Sequence, residues 1–457
     1  MPLPDALRRD LSDIPVLEDQ RIVRMKSRDF FWFSPILKAS LDDKRADLVV
    51  VPRDKADVMR IAAACARHRV PITIRGGGTG NYGQAVPLAG GVVVDMVKLD
   101  QLIWQKLGAG RFAAGARMLE IDRMLAPFGH ELRFYPSTRQ AATIGGFIAG
   151  GAAGAGSCTW GQISDPGAVL GVEVVTVEET PRVIELRGRD VLKVMHAYGV
   201  NGIITEVEVP LAPLHPWCER IAAFPSLSAA AKFAHTFTEC DGIAKKLVTV
   251  HDPQVVPYLK RLSPYAEAGE AMVIIMVSEP QAEAFELLVG DHGGRVTFRR
   301  SATDAQEAAY GGGEMPPIYE FTWNHTTLHA IRIEPTITYL QLRFPPANNL
   351  ELVDWVAKRF ENEVLLHLEF QRRFGKVTCS SLPLVRYTTN ERLDAIMAEL
   401  DSKGVAVSNP HTYVLDNAGW KRVDAPQAEF KRLADPHGLM NPGKLKEWRT
   451  EPLLATA

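Results

Sequence analysis

Several classes of protein are excluded by what this sequence lacks. Only five of its 457 residues are cysteine (Cys65, Cys158, Cys218, Cys240 and Cys379). The number is odd and no pair is spaced C-x-x-C, which argues against a disulfide framework or a zinc ribbon and for a reducing compartment. A charge of one sign is also missing: 52 basic residues face 54 acidic ones. No overall field favours nucleic acid or an anionic membrane, so small-molecule partners are expected. The opening MPLPDALRRDLSDIPV lacks the apolar core of a signal peptide, and cytoplasm is the expected location. The one long uncharged stretch, QAATIGGFIAGGAAGAGSCTWGQI (140–163), is built from glycine and alanine. A membrane span needs about 20 predominantly apolar residues, so the stretch reads instead as a buried, backbone-rich loop system.

Lysine is absent from another place where it would matter. Residues 71–84 read PITIRGGGTGNYGQ, and Gly78, Gly80 and Gly83 satisfy G-x-G-x-x-G, but no G-K-[ST] follows, so this is no nucleoside triphosphate loop. The preceding DLVVV predicts a buried strand, and Asp54 is placed to cap a helix carrying Val58, Ile61, Ala62 and Cys65 on one face. After the glycines comes QAVPLAGG and then the strand VVVDM (92–96). Strand, loop and strand therefore succeed one another without a helix, whereas the glycines of a Rossmann fold must open one. What remains is a loop of backbone N–H groups able to wrap an anion, or else a plain glycine turn.

A second glycine-rich loop, YPSTRQAATIGGFIAGGAAGAGSCTWG (135–161), favours the anion site. Its small residues let a backbone and a flat ring approach where any Cβ would collide, although a tightly packed helix pair would use them too. VLGVEVVTV (169–177) and the run from Gly202 to Val209 read as further strands. Two such loops on a strand-rich scaffold suggest a long diphosphate ligand.

The ordered series VVVPRDKADV, PITIRGGGTG, VVVDM, YPSTRQAATIGGFIAGG, DPGAVLGVEVVT, GVNGIITEVEV and DPHGLMNPGK resembles the vanillyl-alcohol oxidase and p-cresol methylhydroxylase (PCMH) superfamily of FAD-linked oxidoreductases. Within it, the glycolate oxidase subunit and D-lactate dehydrogenase branch is the most similar. The resemblance covers about 45–211 and 432–445. It implies an α+β protein with a two-subdomain, PCMH-type FAD-binding domain and an α+β substrate-binding cap. The boundaries expected are an N-terminal helical extension (1–44), the FAD domain (45–212), the cap (213–425) and a C-terminal segment returning to the FAD domain (426–457).

By the same resemblance, Arg75, Gly76, Gly77, Gly78, Thr79, Gly80 and Asn81 would hold the FAD pyrophosphate, with backbone donors in place of a lysine. Pro136, Ser137, Thr138, Thr143, Ile144, Gly145, Gly146, Gly150 and Gly151 would lie against the isoalloxazine and ribityl chain, with Ser157 and Gly161 continuing that wall. Gly202, Ile203 and Ile204 would line the adenine and ribose, and Asn441, Pro442 and Lys444 would close over the ring system. Ala142 stands near where relatives gate oxygen. Thr79 occupies the place of the histidine that links FAD in other members, so noncovalent FAD is expected. The D-G-N-x-H and G-E-H-G stretches with which hydroxy-acid relatives build a metal site are missing, and no metal is assigned.

From 213 to 425 the chain changes character. AMVIIMV (271–277) and PQAEAFELL (280–288) predict an antiparallel sheet flanked by helices. Hydride transfer from a carbinol carbon needs a base for the hydroxyl proton and usually a cation for a carboxylate. Residues 319–344 hold the densest set of such groups: Tyr319, Trp323, Asn324, His325, His329, Arg332, Tyr339 and Arg343. If helical, the segment puts His325 and His329 one turn apart, as a metal pair, as a base with its partner, or as packing residues. Asn409, His411 and Tyr413 are further candidates. The expected activity is oxidation of an alcohol or 2-hydroxy acid by hydride transfer to flavin N5. Two alternatives remain: a flavin-bearing subunit that needs an iron–sulfur or other electron-transfer partner, and a flavin-free binding protein. An electron-acceptor protein and a homodimer are compatible partners.

Overall fold

The computed structural model describes residues 4–151, 153–418 and 424–446; the end of the expected C-terminal segment, 447–457, lies outside them. A small sheet forms first, in the order Val16–Leu17, Leu48–Val50, Val92–Asp95, Ile72–Arg75. The last three strands run parallel and the first is antiparallel to its neighbour. The helix Lys55–Arg67 begins where Asp54 accepts the N–H of Asp57, and it buries Val58, Ile61, Ala62 and Cys65. The N-terminal stretch is not purely helical, because Val16–Leu17 joins this sheet. From the other end of the chain, Leu439 and Asn441 bond the backbone of Ile72, so the edge of strand Ile72–Arg75 is covered.

A six-stranded antiparallel sheet follows, built from Leu102–Lys106, Ala109–Ala113, Ile203–Pro213, Gly171–Val175 and Val183–Arg187, with His130–Leu132 paired to the long Ile203–Pro213 strand. Part of 140–163 proves helical. Thr143 caps the helix Ile144–Gly150, and Gly151 ends it in the left-handed region at φ +68°. The buried Ile144, Phe147 and Ile148 supply the apolar face that a loop would not need.

The remaining chain builds an eight-stranded antiparallel sheet in the order Arg295–Arg300, Trp217–Phe224, Ala271–Ser278, Lys245–His251, His367–Arg373, Lys376–Ser381, Gln341–Arg343, Ala406–Ser408. Helices Leu227–Glu239, Ala282–Asp291, Asn349–Arg359 and Asn390–Ser402 contribute buried side chains to the core on one of its faces. Strand His367–Arg373 alternates strictly. Leu368 and Phe370 enter that core, which leaves His367, Glu369, Gln371 and Arg373 on the opposite face. Among the described residues no helix is long and apolar enough to cross a membrane, and no group of three or more His, Cys, Asp or Glu side chains is arranged to hold a metal ion.

Candidate functional site

A cavity of about 510 Å³ runs between the two glycine-rich loops and the polar face of the eight-stranded sheet. Gly76 to Asn81 form one wall, where the chain leaves strand Ile72–Arg75 and cannot continue as a helix. A Cβ at Gly77 would meet the Ala141 backbone carbonyl, and Gly78 has φ +66°, so neither position accepts another residue without displacement. Arg75 is 8% exposed. Its Nη1 donates to the Arg28 carbonyl at 2.5 Å, its Nε has no partner among the described residues, and no ion pair of 4 Å or less holds it there. Burial pushes its pKa down, against the pull of Asp95 and Asp29. Arg75 lines an adjoining cavity of about 360 Å³ that shares Gly77, Gly78 and Thr79 with the first, and a buried guanidinium beside such a glycine-rich loop is a fitting cradle for a diphosphate.

The second loop supplies Pro136, Ser137, Thr138, Thr143, Gly145, Gly146, Gly150 and Gly151, and Gly202 and Ile204 line the far end with His196 and Tyr198. Other expected contacts are not brought to this cavity. Ile144 and Ile203 turn into apolar cores. The Ser157 hydroxyl donates to the Gly154 carbonyl at 2.7 Å, and Gly161 lies behind the lining residues Gln162 and Ile163. Asn441 and Lys444 act on the loops from behind: Asn441 Nδ2 donates to the carbonyls of Gln84 and Tyr198, both at 2.7 Å, and the fully buried Lys444 Nζ to that of Gly83 at 2.5 Å.

The segment 319–344 is split by the fold. Helix Asn324–Ile331 does place His325 and His329 one turn apart, but neither lines the main cavity. His325 opens onto the adjoining cavity of about 360 Å³, which shares Thr79, Ser137 and Thr138 with the first and also contains Glu320. Burial, followed by the nearby His329, lowers the His325 pKa to about 4. His329 stacks on Phe321, with ring centroids 4.8 Å apart, and its Nε2 faces the Glu320 carbonyl at 3.3 Å. Arg332 is exposed. Tyr339 is fully buried, edge-on to Phe33 and near His411, each at 6.2 Å. His411 Nδ1 is in turn 2.7 Å from the Ser34 hydroxyl.

Asn324 and Arg343 do reach the main cavity, together with Trp323, Gln341, Gln371, Arg373 and Ser380. Asn324 Nδ2 donates to Asn81 Oδ1 at 2.9 Å, tying the cap to the first glycine loop. Four buried atoms on this side of the cavity have no partner among the described residues: Trp323 Nε1, Asn324 Oδ1, Arg343 Nε and Ser408 Oγ. Burial, reinforced by the neighbouring charge of Arg373, lowers the Arg343 pKa. Gln371 and Arg373 escaped the sequence reading, although the polar alternation of HLEFQRR (367–373) was the available signal.

Residues 46–185 match the family model of an FAD binding domain. Residues 46–185 are thus an FAD-binding domain, and FAD is its cofactor. Among particular relatives, the glycolate oxidase subunit GlcD of Escherichia coli (strain K12) is 33% identical over 194 residues, which cover 40% of this chain and only 38% of that protein. GlcD of Bacillus subtilis (strain 168) is 24% identical over 442 residues, covering 87% and 88%, and the D-2-hydroxyglutarate dehydrogenase of E. coli (strain K12) is 41% identical over 135 residues, covering 28% and 13%. A solved structure of alkyldihydroxyacetonephosphate synthase superposes with a TM-score of 0.70 at 16% identity, covering 96% of this chain and 86% of that one. The chain therefore shares the fold of that synthase over nearly its whole length.

Proposed function

We propose that this protein is an FAD-dependent oxidoreductase that oxidises a 2-hydroxy acid, or an alcohol of similar shape, by hydride transfer to flavin N5. FAD, when bound, supplies the hydride acceptor. The protein's part is to hold and orient. Arg75 and the amides of Gly76 to Gly80 would neutralise the diphosphate, while Ser137, Thr138 and Gly145 to Gly151 would shape the wall along the ring system.

The observation that carries the substrate assignment is the set of unpartnered buried atoms that line the cavity from the cap side: two donors, Trp323 Nε1 and Arg343 Nε, one acceptor, Asn324 Oδ1, and the Ser408 hydroxyl, which can do either. Arg343 would clamp a carboxylate, Trp323 would donate to it, and Asn324 would accept from the carbinol hydroxyl. Of the two histidines predicted as bases, only His325 opens onto a cavity that shares walls with the flavin site, and we assign it the hydroxyl proton. The names of the glycolate oxidase relatives include the word subunit. This favours a second possibility for turnover, in which electrons leave the flavin for a partner protein instead of oxygen.

Anaerobic mixing of the flavoprotein with a panel of D- and L-2-hydroxy acids and neutral alcohols tests the proposal by bleaching of the flavin band. At least one hydroxy acid should reduce it within the mixing experiment, and a flavin that none of them reduces would overturn the assignment.

A further inference from the structure

The substrate scheme leaves unused a polar cluster buried behind Trp323. Glu369 is 1% exposed, and His251 and His367 are 0% exposed. Glu369 accepts from the backbone N–H of Trp323 at 2.6 Å, from the Thr249 hydroxyl at 2.5 Å and from His367 Nε2 at 2.7 Å. His367 stacks on His251 with centroids 4.6 Å apart and planes 15° off parallel. Thr326, on the helix that begins at Asn324, gives its hydroxyl proton to the Phe321 carbonyl at 2.8 Å. It can therefore only accept from His251 Nε2 at 3.2 Å, which fixes the tautomer of that ring. Every member is held by another, and none lines the main cavity.

What the cluster grips is a backbone strained at one point. Trp323 has φ +51° and ψ −140°, a region that a bulky aromatic residue rarely enters and glycine enters freely. The chain reverses there, from the short helical turn Ile318–Phe321 into helix Asn324–Ile331, and no side chain caps that helix. The turn brings Trp323 and Asn324, with two of the four unpartnered atoms, to the cavity wall. The Trp323 N–H is the one backbone group of this residue that Glu369 holds, and releasing it would let the residue relax to negative φ and swing both side chains.

We propose that Glu369 is a positioning residue. Its carboxylate, braced by Thr249 and the His367–His251 stack, locks Trp323 in its left-handed conformation and so presents Trp323 and Asn324 to the substrate. This rests on the functional reading above, in which those two residues meet the substrate.

The test uses the intact flavoprotein and compares E369Q, E369D and E369L. Glutamine keeps an oxygen for the Trp323 N–H, aspartate withdraws the carboxylate by one methylene, and leucine removes it. The readouts are FAD content, the rate of reduction by dithionite, and KM and limiting rate for anaerobic reduction by the best hydroxy acid. FAD content and dithionite reduction should stay parental throughout. E369L should raise KM or lower the limiting rate by about 10²-fold, the size expected of a misplaced substrate contact, with E369D intermediate and E369Q close to the parent. Glycine adopts the Trp323 conformation without strain, so in a W323G background E369L should add no further loss. E369D carries the comparison should E369L fail to fold. A parent that nothing in the panel reduces would overturn this inference together with the functional reading. A reducible parent whose E369D and E369L variants keep its KM and rate, or an E369L effect as large in W323G as in the parent, would overturn the positioning role alone.

Discussion

The guanidinium of Arg75 lies directly against Gly78, where a Cβ would run into its Cζ and both Nη atoms. The loop and the buried cation therefore share one volume, and a side chain at 78 must displace the charge that the diphosphate is proposed to meet. Gly78→Val combines that clash with a positive φ that a β-branched residue tolerates poorly. The variant is expected to purify largely without flavin, as measured by the ratio of visible to protein absorbance. Full occupancy would mean that the loop is only a turn.

Thr79 in the first glycine-rich loop offers no ring nitrogen to which a flavin could be linked, and noncovalent FAD is proposed. Acid precipitation should leave the yellow colour in the supernatant as free FAD. Colour retained by the pellet would contradict noncovalent binding.

Arg343 has an unpartnered Nε and no carboxylate within ion-pair distance among the described residues. Replacing it with Gln should raise KM for acid substrates by about 10- to 10²-fold, corresponding to about 1.5–3 kcal/mol for a hydrogen bond to a charged group. Lysine should rescue poorly, because it lacks the planar fork. Neutral alcohols should be spared, so an equal loss on both substrate classes would argue against a carboxylate clamp.

His325 carries a prediction about pH as well as rate. Its folded pKa of about 4 lies below the ordinary imidazole value of about 6.5. The unfolded chain therefore binds the extra proton first as pH falls. The stability that the neutral ring contributes is fully present above pH 6.5 and is lost as the pH drops toward 4. In H325N the fall in melting temperature between pH 7.5 and 4.5 should be smaller by several degrees. If His325 takes the hydroxyl proton, the same variant should reduce its flavin about 10²- to 10⁴-fold more slowly. A parental rate would remove it from the chemistry.

His329, flat against Phe321 and turned toward the Glu320 carbonyl, is expected to behave as a packing residue. H329A should lower the melting temperature while leaving the reduction rate of the folded fraction nearly unchanged. A rate loss at constant stability would return it to the active site.

Much of the flavin half was legible because its signals are local. Asp54 announces a helix, VVVDM a buried strand, and a glycine run between two strands demands close backbone approach wherever the chain goes next. The likeness of the ordered stretches carried the assignment further, to FAD and to individual loop residues. Ile144, Ile203 and Gly161 each stand next in sequence to a residue that lines the cavity without lining it themselves, whereas Ser157 lies away from any lining residue and turns its hydroxyl to the Gly154 carbonyl.

The sequence by itself determined the two glycine-rich loops, the strands that carry them, the cofactor class and the antiparallel character of the cap. Each of these depends on periodicity or on backbone freedom within a short window. Only the tertiary structure decided which polar residues of the cap face the main cavity. Trp323 and Asn324 are adjacent to His325 in the chain, yet the reversal at φ +51° sends them to one cavity and His325 to another. Arg343 and Arg373 are brought to one wall by strands that lie two places apart in the sheet. Glu369 reaches Trp323 across 46 residues of sequence. These relationships are set by strand order and by a strained backbone turn, and neither is encoded in the spacing of side chains along the chain.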